Sequence, residues 1–228
     1  MADYGIIAEV GPRGKYRLRD APCCRLILMT RYPTPGSTKT RLIPALGPQG
    51  AAILQQRMTE VAVALMRRFC DSHPVVPEVR YEGGSGLAMR EWLGDDLAFL
   101  SQGKGTLGER LANAFDDAFS LGSTAVVVMG ADCPSLNCDH LAEAFVALRQ
   151  HDLVVGPAMD GGYYLIGLAK PAAALFRAIP WGSSRVLGGT LERAASLGLS
   201  CHLLEQLVDV DRPEDLKTAS MLSRAIGR

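Results

Sequence analysis

The chain has 228 residues, and 24 lysines and arginines balance 24 aspartates and glutamates, so the formal net charge is zero. A neutral chain has no overall field to attract nucleic acid or an anionic membrane surface, and any phosphate recognition must therefore be local. No stretch approaches the roughly 18 apolar residues of a membrane span, and residues 1 to 22 lack the apolar core of a signal peptide. With six cysteines and no C-x-x-C motif, we expect reduced thiols and a cytoplasmic protein.

Apolar, β-branched runs alternate with segments of helical periodicity. The predicted strands cover residues 25 to 30, 75 to 81, 97 to 101, 124 to 130 and 152 to 156. Helices are predicted over residues 48 to 69, over residues 141 to 148 and in a last segment from Leu216. Another helix is predicted from the apolar stripe of Leu107, Leu111, Phe115 and Phe119. This alternation predicts an α/β fold with a mostly parallel central sheet and helices on both faces.

Two segments depart from the alternation. Residues 160 to 168 read DGGYYLIGL, in which paired glycines precede a β-prone segment, so we predict an antiparallel or hairpin strand there. Residues 1 to 22 lie outside the pattern and are predicted to form an added hairpin or to stay mobile. With no internal repeat or linker in view, we expect a single domain from 23 to 228.

A loop rich in proline, glycine and positive charge, RYPTPGSTKTR, follows the first predicted strand. α/β proteins commonly bind phosphate where a buried strand delivers cations and backbone N–H groups to one point. The loop is not a Walker A sequence, which would need glycine where Thr38 stands. We interpret it as the nucleotide end of an active site, the alternative being a solvated surface loop. The residues concerned are Arg31, Pro35, Gly36, Lys39 and Arg41.

A glycine-rich segment, QGKGTLGER from Gln102 to Arg110, follows the third predicted strand. Gly103, Gly105 and Gly108 match G-x-G-x-x-G, which is also the fingerprint of dinucleotide-binding oxidoreductases. Since the segment lies in mid-chain and no catalytic histidine is evident, we prefer glycines that let the backbone lie close to a base or ribose. A tight strand-to-helix turn is the structural alternative.

Carboxylates follow the later strands. Asp132 comes directly after a buried strand, and Asp209 and Asp211 alternate along an extended segment, so we expect their side chains to face the same way. Mg²⁺ takes one or two such oxygens together with phosphate, which favours a metal site, whereas helix capping is the alternative. Asp160 is either a turn residue or a group that holds or deprotonates an acceptor.

Five segments occur along the chain in this order: PGSTKTRL, QGKGTLGER, MGADCPSL, GPAMDGGYYLIGL and DVDRPEDL. In these segments the chain resembles the nucleotide-diphospho-sugar transferase superfamily, which has the GT-A fold. Within it the chain is similar to a small bacterial family described as glycosyltransferases, some linked to arsenosugar biosynthesis. The resemblance spans about residues 25 to 218. It departs at Arg31, where the family commonly has lysine, at Trp181-Gly-Ser-Ser184, and at GADC, which has one aspartate instead of D-x-D.

The resemblance implies a role for each of these segments. The loop from Arg31 to Arg41 and the segment from Gln102 to Arg110 would hold the nucleotide. Asp132 with Asp209 or Asp211 would hold Mg²⁺ or Mn²⁺. The acceptor would be faced by Asp160, Gly161, Gly162 and Tyr163.

The expected function is a metal-dependent transfer of a glycosyl group from a nucleotide sugar to a small acceptor, with Lys39, Arg41 and Asp160 as the catalytic residues. The alternative within the same fold is nucleotidyl transfer from a nucleoside triphosphate to a phosphorylated small molecule. An NAD-dependent oxidoreductase and a non-catalytic nucleotide-binding protein are less favoured.

Overall fold

Strands and helices alternate along residues 23 to 219, the part of the chain that this computed structural model describes. The strands are β1 (Cys23–Arg31), β2 (Val75–Glu82), β3 (Ala98–Ser101), β4 (Ser123–Gly130), β5 (Leu153–Pro157), β6 (Tyr163–Leu168) and β7 (Cys201–Leu203). The helices are α1 (Ile43–Ser72), α2 (Gly86–Leu93), α3 (Leu107–Ser120), α4 (Cys138–Ala147), α5 (Val186–Ser196) and α6 (Leu216–Ala219). The predicted N-terminal extension, residues 1 to 22, lies outside the described residues.

The seven strands form one sheet in the order β3-β2-β1-β4-β6-β5-β7. Strand β6 runs antiparallel to both of its neighbours, whereas the other pairings are parallel. The β-prone segment after the paired glycines is therefore the antiparallel strand, as predicted. This order also differs from the 3-2-1-4-5-6 order of dinucleotide-binding sheets.

Helices cover both faces of the sheet, which confirms the predicted fold class. On one face α1, α2 and α4 pack through residues such as Met66, Phe69 and Leu141. On the other face α3 and α5 pack through Phe115 and Ala194. A strand with apolar side chains on both faces must be covered twice, which explains the near-continuous apolar runs of the sequence.

Several details differ from the sequence prediction. Helices α2 and α5 were not predicted. Strand β7, three residues at the edge of the sheet, was not predicted, because so short a run carries no periodicity. Leu107 was predicted to lie on the buried stripe of α3, but it is 45% exposed. The first buried residue with a large apolar side chain on that helix is Leu111, one turn further along.

Helix α1 bends near its start. Gly47 has φ of 68° and ψ of 166°, values outside the helical region, and Pro48 follows it. A positive φ favours glycine, and proline fits the first turn of a helix because it needs no backbone donor there. The long segment of α1 therefore begins at Pro48, where the helix was predicted to start.

A buried ion network ties the first two strands to α3. The Glu78 carboxylate, with 1% of its side chain exposed, lies 2.9 Å from an Arg25 nitrogen and 2.7 Å from Nε of Arg80. The Arg80 guanidinium continues to Asp117, 2.8 Å away. Since charges leave water at a high cost, each depends on the partners around it.

We predict that Glu78→Gln lowers the free energy of unfolding by about 3 kcal/mol, because it removes the carboxylate that Arg25 contacts and leaves Arg80 with Asp117 alone. Urea denaturation measures the change. Glu192→Gln, on the exposed side of α5, is the control and should change stability by less than about 0.5 kcal/mol. Equal effects of the two variants would contradict a structural role for the network.

Candidate nucleotide-binding site

A cleft of about 560 Å³ opens at the carboxyl ends of β1, β2 and β4. Because β6 is antiparallel, its first residues meet the same edge. A volume of this size accommodates a small organic ligand or a nucleotide. The cleft brings together ten of the predicted site residues: Arg31, Lys39, Arg41, Gln102, Arg110, Asp132, Asp160, Tyr163, Asp209 and Asp211. The remaining ones, Pro35, Gly36, Gly103, Gly105, Gly108, Gly161 and Gly162, do not line it.

Lys39 is the buried cation of the cleft. Its backbone is left-handed, with φ of 48°, and only 3% of its side chain is exposed. The ammonium Nζ lies 2.9 Å from Oδ2 of Asp132 and donates a 2.7 Å hydrogen bond to the carbonyl oxygen of Val210. The first loop, the end of β4 and the late extended segment therefore meet at one nitrogen atom.

Residues 209 to 211 are held against the end of β4 by the main chain as well. The Val210 N–H donates to the Asp132 carbonyl oxygen at 2.8 Å. Asp211 forms an ion pair with Arg41 and lies 4.0 Å from Nζ of Lys39. We name the set Lys39, Arg41, Asp132 and Asp211 the lysine–aspartate cluster.

Asp209 is the carboxylate of the site that has no partner. Its Oδ1 atom is buried and accepts no hydrogen bond from the described residues. Burial, followed by the nearby charges of Asp132 and Asp160, raises the pKa of Asp209 to about 7, although Lys39 opposes this shift. This buried oxygen lacks a hydrogen-bond donor and lies near other negative charges, so a bound cation would stabilise the ionised form of Asp209.

A second charged group lies at the ends of β1 and β2. Oε2 of Glu82 is 2.8 Å from Nε of Arg31 and 3.0 Å from a terminal nitrogen of Arg110. We name these three residues the arginine cluster. Sequence analysis missed Glu82; its place at the end of the second strand, among residues that close the other strands, was the signal that could have found it.

Gln102 is buried and shapes the site without offering its amide to a ligand. Both of its N–H donors are used, on the carbonyl oxygens of Thr30 at 2.9 Å and Arg80 at 3.1 Å. Its side-chain oxygen accepts from Arg110 at 3.3 Å, and Nε of Arg110 donates to the Gly105 carbonyl at 3.0 Å. Gln102 therefore fixes Arg110 toward the cleft.

The last glycine of the G-x-G-x-x-G segment packs against the protein. A Cβ atom on Gly108 would stand 2.6 Å from Nε1 of Trp181 and 2.7 Å from the carbonyl oxygen of Phe176. At the start of α3, Thr106 and Glu109 form a reciprocal capping box. The first N–H groups of this helix are therefore partly satisfied by the chain itself.

Asp160 lies in a turn that is pinned to the start of α5. Its Oδ1 accepts the Gly162 N–H at 2.8 Å, while Gly161 has φ of 88° and accepts the Leu187 N–H at 2.9 Å. A Cβ on Gly161 would stand 2.1 Å from the carbonyl oxygen of Ser184, so the close approach requires glycine. The exposed Asp160 side chain is thus held at the cleft.

Tyr163 follows this turn, and its ring meets Trp181 edge to face, with centroids 6.3 Å apart. Burial raises the pKa of its phenol, which therefore stays protonated at neutral pH.

We predict that Gly108→Ala destabilises the fold by about 1 to 3 kcal/mol, because the added methyl group has no space against Trp181 and Phe176. Gly188→Ala is the matched control: this helical glycine has open space around its Cβ position, so alanine should leave stability unchanged or raise it by up to about 1 kcal/mol. Thermal unfolding compares the two. A neutral Gly108→Ala variant would show that the packing does not constrain this position.

Sheet order, the antiparallel strand and the cleft at the carboxyl edge together define the nucleotide-diphospho-sugar transferase fold, the class that the sequence motifs resemble. Within this class the chain belongs to the family described as "Uncharacterized protein conserved in bacteria (DUF2064)", whose profile matches residues 65 to 183. Within residues 23 to 219, none of the helices is long and apolar enough to span a membrane.

Many known structures are similar to the chain, and three similar proteins illustrate the range. A protein of Desulfovibrio desulfuricans G20 assigned to the nucleotide-diphospho-sugar transferases superimposes with a TM-score of 0.81, at 31% identity over 90% of this chain and 89% of its own. A 3-phospho-D-glycerate guanylyltransferase of Phenylobacterium zucineum (strain HLK1) is 30% identical over 150 residues, which are 58% of this chain and 67% of that protein. The 4-diphosphocytidyl-2C-methyl-D-erythritol synthase of Anaerococcus prevotii DSM 20548 has a TM-score of 0.60 at 10% identity, covering 89% of this chain and 96% of its own.

Proposed function

We propose that the protein is a nucleotidyltransferase, which transfers a nucleoside monophosphate from a nucleoside triphosphate to a phosphorylated small molecule and releases pyrophosphate. One observation carries the proposal. The buried ammonium of Lys39 and the unpartnered carboxylate of Asp209 lie in one cleft that is large enough for a nucleotide. Phosphoryl-transfer chemistry needs a cation for the leaving phosphates and carboxylates for a metal ion.

Lys39 and Arg41 are the residues that we assign to the triphosphate. Each contacts a carboxylate, Asp132 and Asp211 respectively. Phosphate oxygens replace these carboxylates as acceptors when the nucleotide binds, and the two cations then stabilise the negative charge that develops on pyrophosphate. Pro35 and Gly36 shape the loop that carries both cations.

Asp132 and Asp209 are the residues that we assign to Mg²⁺ or Mn²⁺. The partnerless Oδ1 of Asp209 beside the charge of Asp132 fits a cation at this position. Among the described residues no group of three or more His, Cys, Asp or Glu side chains could hold a metal ion, so phosphate and water would have to supply the remaining ligands. When bound, the metal would neutralise phosphate charge. Asp211, paired with Arg41, stays a predicted additional ligand.

Asp160 and Tyr163 are assigned to the acceptor, beside the glycine turn of Gly161 and Gly162. In the proposed reaction an acceptor phosphate oxygen bonds to the α-phosphorus while the bond from that phosphorus to the bridging oxygen of pyrophosphate breaks. An ionised phosphate has no proton to lose, so Asp160 orients the polar groups of the acceptor and need not act as a base.

The comparisons support nucleotidyl transfer. The guanylyltransferase relative is named for that reaction with a phosphorylated acceptor, 3-phospho-D-glycerate. Glycosyl transfer from a nucleotide sugar is the second candidate, and the Desulfovibrio protein favours it by its assignment. The same cations and carboxylates would then hold a leaving nucleoside diphosphate, so the two candidates differ in which bond breaks.

An assay that separates the candidates incubates the protein with Mg²⁺ and each of the four nucleoside triphosphates, together with small phosphorylated acids. We expect pyrophosphate release that depends on the acceptor. Lys39→Met should lower the rate at least about 100-fold, because the cation on the leaving phosphates is lost. Lys170→Met, which removes an exposed lysine paired with Asp152 outside the cleft, is the control and should keep the rate.

Other outcomes identify other functions. Release of a nucleoside diphosphate from a nucleotide sugar, without pyrophosphate formation, would establish the glycosyl alternative. Stabilisation by NAD alone that is indifferent to metal would contradict both candidates.

A second prediction concerns the metal. Mg²⁺ together with a nucleoside triphosphate should raise the melting temperature above that with either alone, since a ligand of the native state stabilises it. Asp209→Asn should abolish this added shift, whereas Asp116→Asn, an exposed carboxylate on α3, should retain it. An unchanged shift in Asp209→Asn would contradict the assignment of Asp209 to the metal.

A further inference from the structure

The arginine cluster contains a carboxylate, Glu82, that has no role in the phosphate binding assigned to Lys39 and Arg41. Both of its ion pairs close on Oε2 of Glu82, and no described residue donates a hydrogen bond to Oε1. The Glu82 side chain is 37% exposed at the cleft, and that of Arg31 is 55% exposed. We propose that Glu82, with Arg31 beside it, recognises the base of the nucleotide and selects guanine.

A free carboxylate oxygen disfavours phosphate at this point and favours N–H donors. Two negative groups within a few ångströms repel each other, and Oε1 carries no donor that would offset the repulsion. An N–H of a neutral base would instead make a charge-assisted hydrogen bond, which is stronger than one between neutral groups. The Lys39 side of the cleft is thus left to the phosphates, and the Glu82 side to the base.

Guanine matches the hydrogen-bonding groups that Glu82 and Arg31 offer to a ligand. An ionised carboxylate oxygen accepts through two lone pairs, and within residues 23 to 219 no hydrogen bond is donated to Oε1 of Glu82. Guanine presents two neighbouring donors, N1–H and the 2-amino group, with the O6 acceptor next to them. Adenine, cytosine and uracil each lack this pair of adjacent donors. The terminal nitrogens of Arg31, which form no hydrogen bond with a described residue, supply the donor for O6.

The surroundings of the cluster suit a flat base. Leu107, at the start of α3, lines the cleft with 45% of its surface exposed, and Leu111 lies one turn further along the same helix. Apolar side chains beside a few fixed polar groups are typical of small-molecule sites. Gln102 holds Arg110, and Arg110 in turn holds the Glu82 carboxylate, so the hydrogen-bonding edge is preorganised.

This inference rests on the proposed nucleotide-binding function, and its test uses binding alone. Equilibrium dissociation constants are measured for GTP, ITP, ATP, CTP and UTP with Mg²⁺, on the wild type, on Glu82→Gln and on Glu91→Gln. Glu91 is an exposed carboxylate of α2 that does not line the cleft.

The wild type should bind GTP about 10-fold or more tightly than ITP, which lacks only the 2-amino group, and tighter still than ATP. Glu82→Gln should weaken GTP about 10- to 100-fold, the range for losing a hydrogen bond to a charged group, and ATP less than about 3-fold. Glu91→Gln should behave as the wild type. The change in the ratio of GTP to ATP affinity is therefore the decisive quantity.

Three results overturn the inference while the proposed function stands. These are equal wild-type affinity for GTP and ATP, a tightest-bound base other than guanine, or a loss in Glu82→Gln that is the same for every base. The last would show that Glu82 only holds the arginines. If Glu82→Gln fails to fold, the order of the wild-type affinities for GTP, ITP and ATP tests the preference for guanine. No binding of any triphosphate to the wild type would instead reject the proposed function itself.

Discussion

The contact of Lys39 with Asp132 and the Val210 carbonyl is the interaction on which the site depends. It joins the loop after β1, the end of β4 and a segment that lies 171 residues further along the chain. A buried ammonium requires partners on every side that lacks water, so these three segments must converge for the fold to tolerate it. Their convergence also places Asp209 where no donor from residues 23 to 219 reaches its buried Oδ1.

The cleft has two charged regions that differ in how their side chains are paired. Around Lys39, cations and aspartates pair with each other, as Lys39 does with Asp132 and Arg41 with Asp211. Around Glu82, two guanidinium groups lie beside one carboxylate oxygen, and none of the described residues donates a hydrogen bond to the other. In the proposed function, the first region would hold the phosphates of a triphosphate and the second would hold its base, and residues of both regions line one cleft.

Strand β6 makes this arrangement possible. Because it runs antiparallel between β4 and β5, its first residues reach the edge where the parallel strands end. The turn before it, pinned to α5 through Gly161, brings Asp160 and Tyr163 to the cleft. An all-parallel sheet would have put the start of this strand at the opposite edge. The departure from regular alternation is therefore what brings these two side chains to the cleft.

The sequence by itself determined the fold class, the antiparallel strand and most of the charged residues at the strand ends, because periodicity, turn composition and position after a strand are local properties. Tertiary structure decided how those residues pair. It assigned Lys39 to Asp132, left Asp209 without a donor, placed Gly108 against Trp181 and brought Glu82 between two arginines. None of these is visible in a local pattern, since burial and charge pairing depend on neighbours far apart in the chain. Leu107 shows the same limit: its helical spacing predicted burial, but only the packing of α3 on the sheet could show that this turn projects into the cleft.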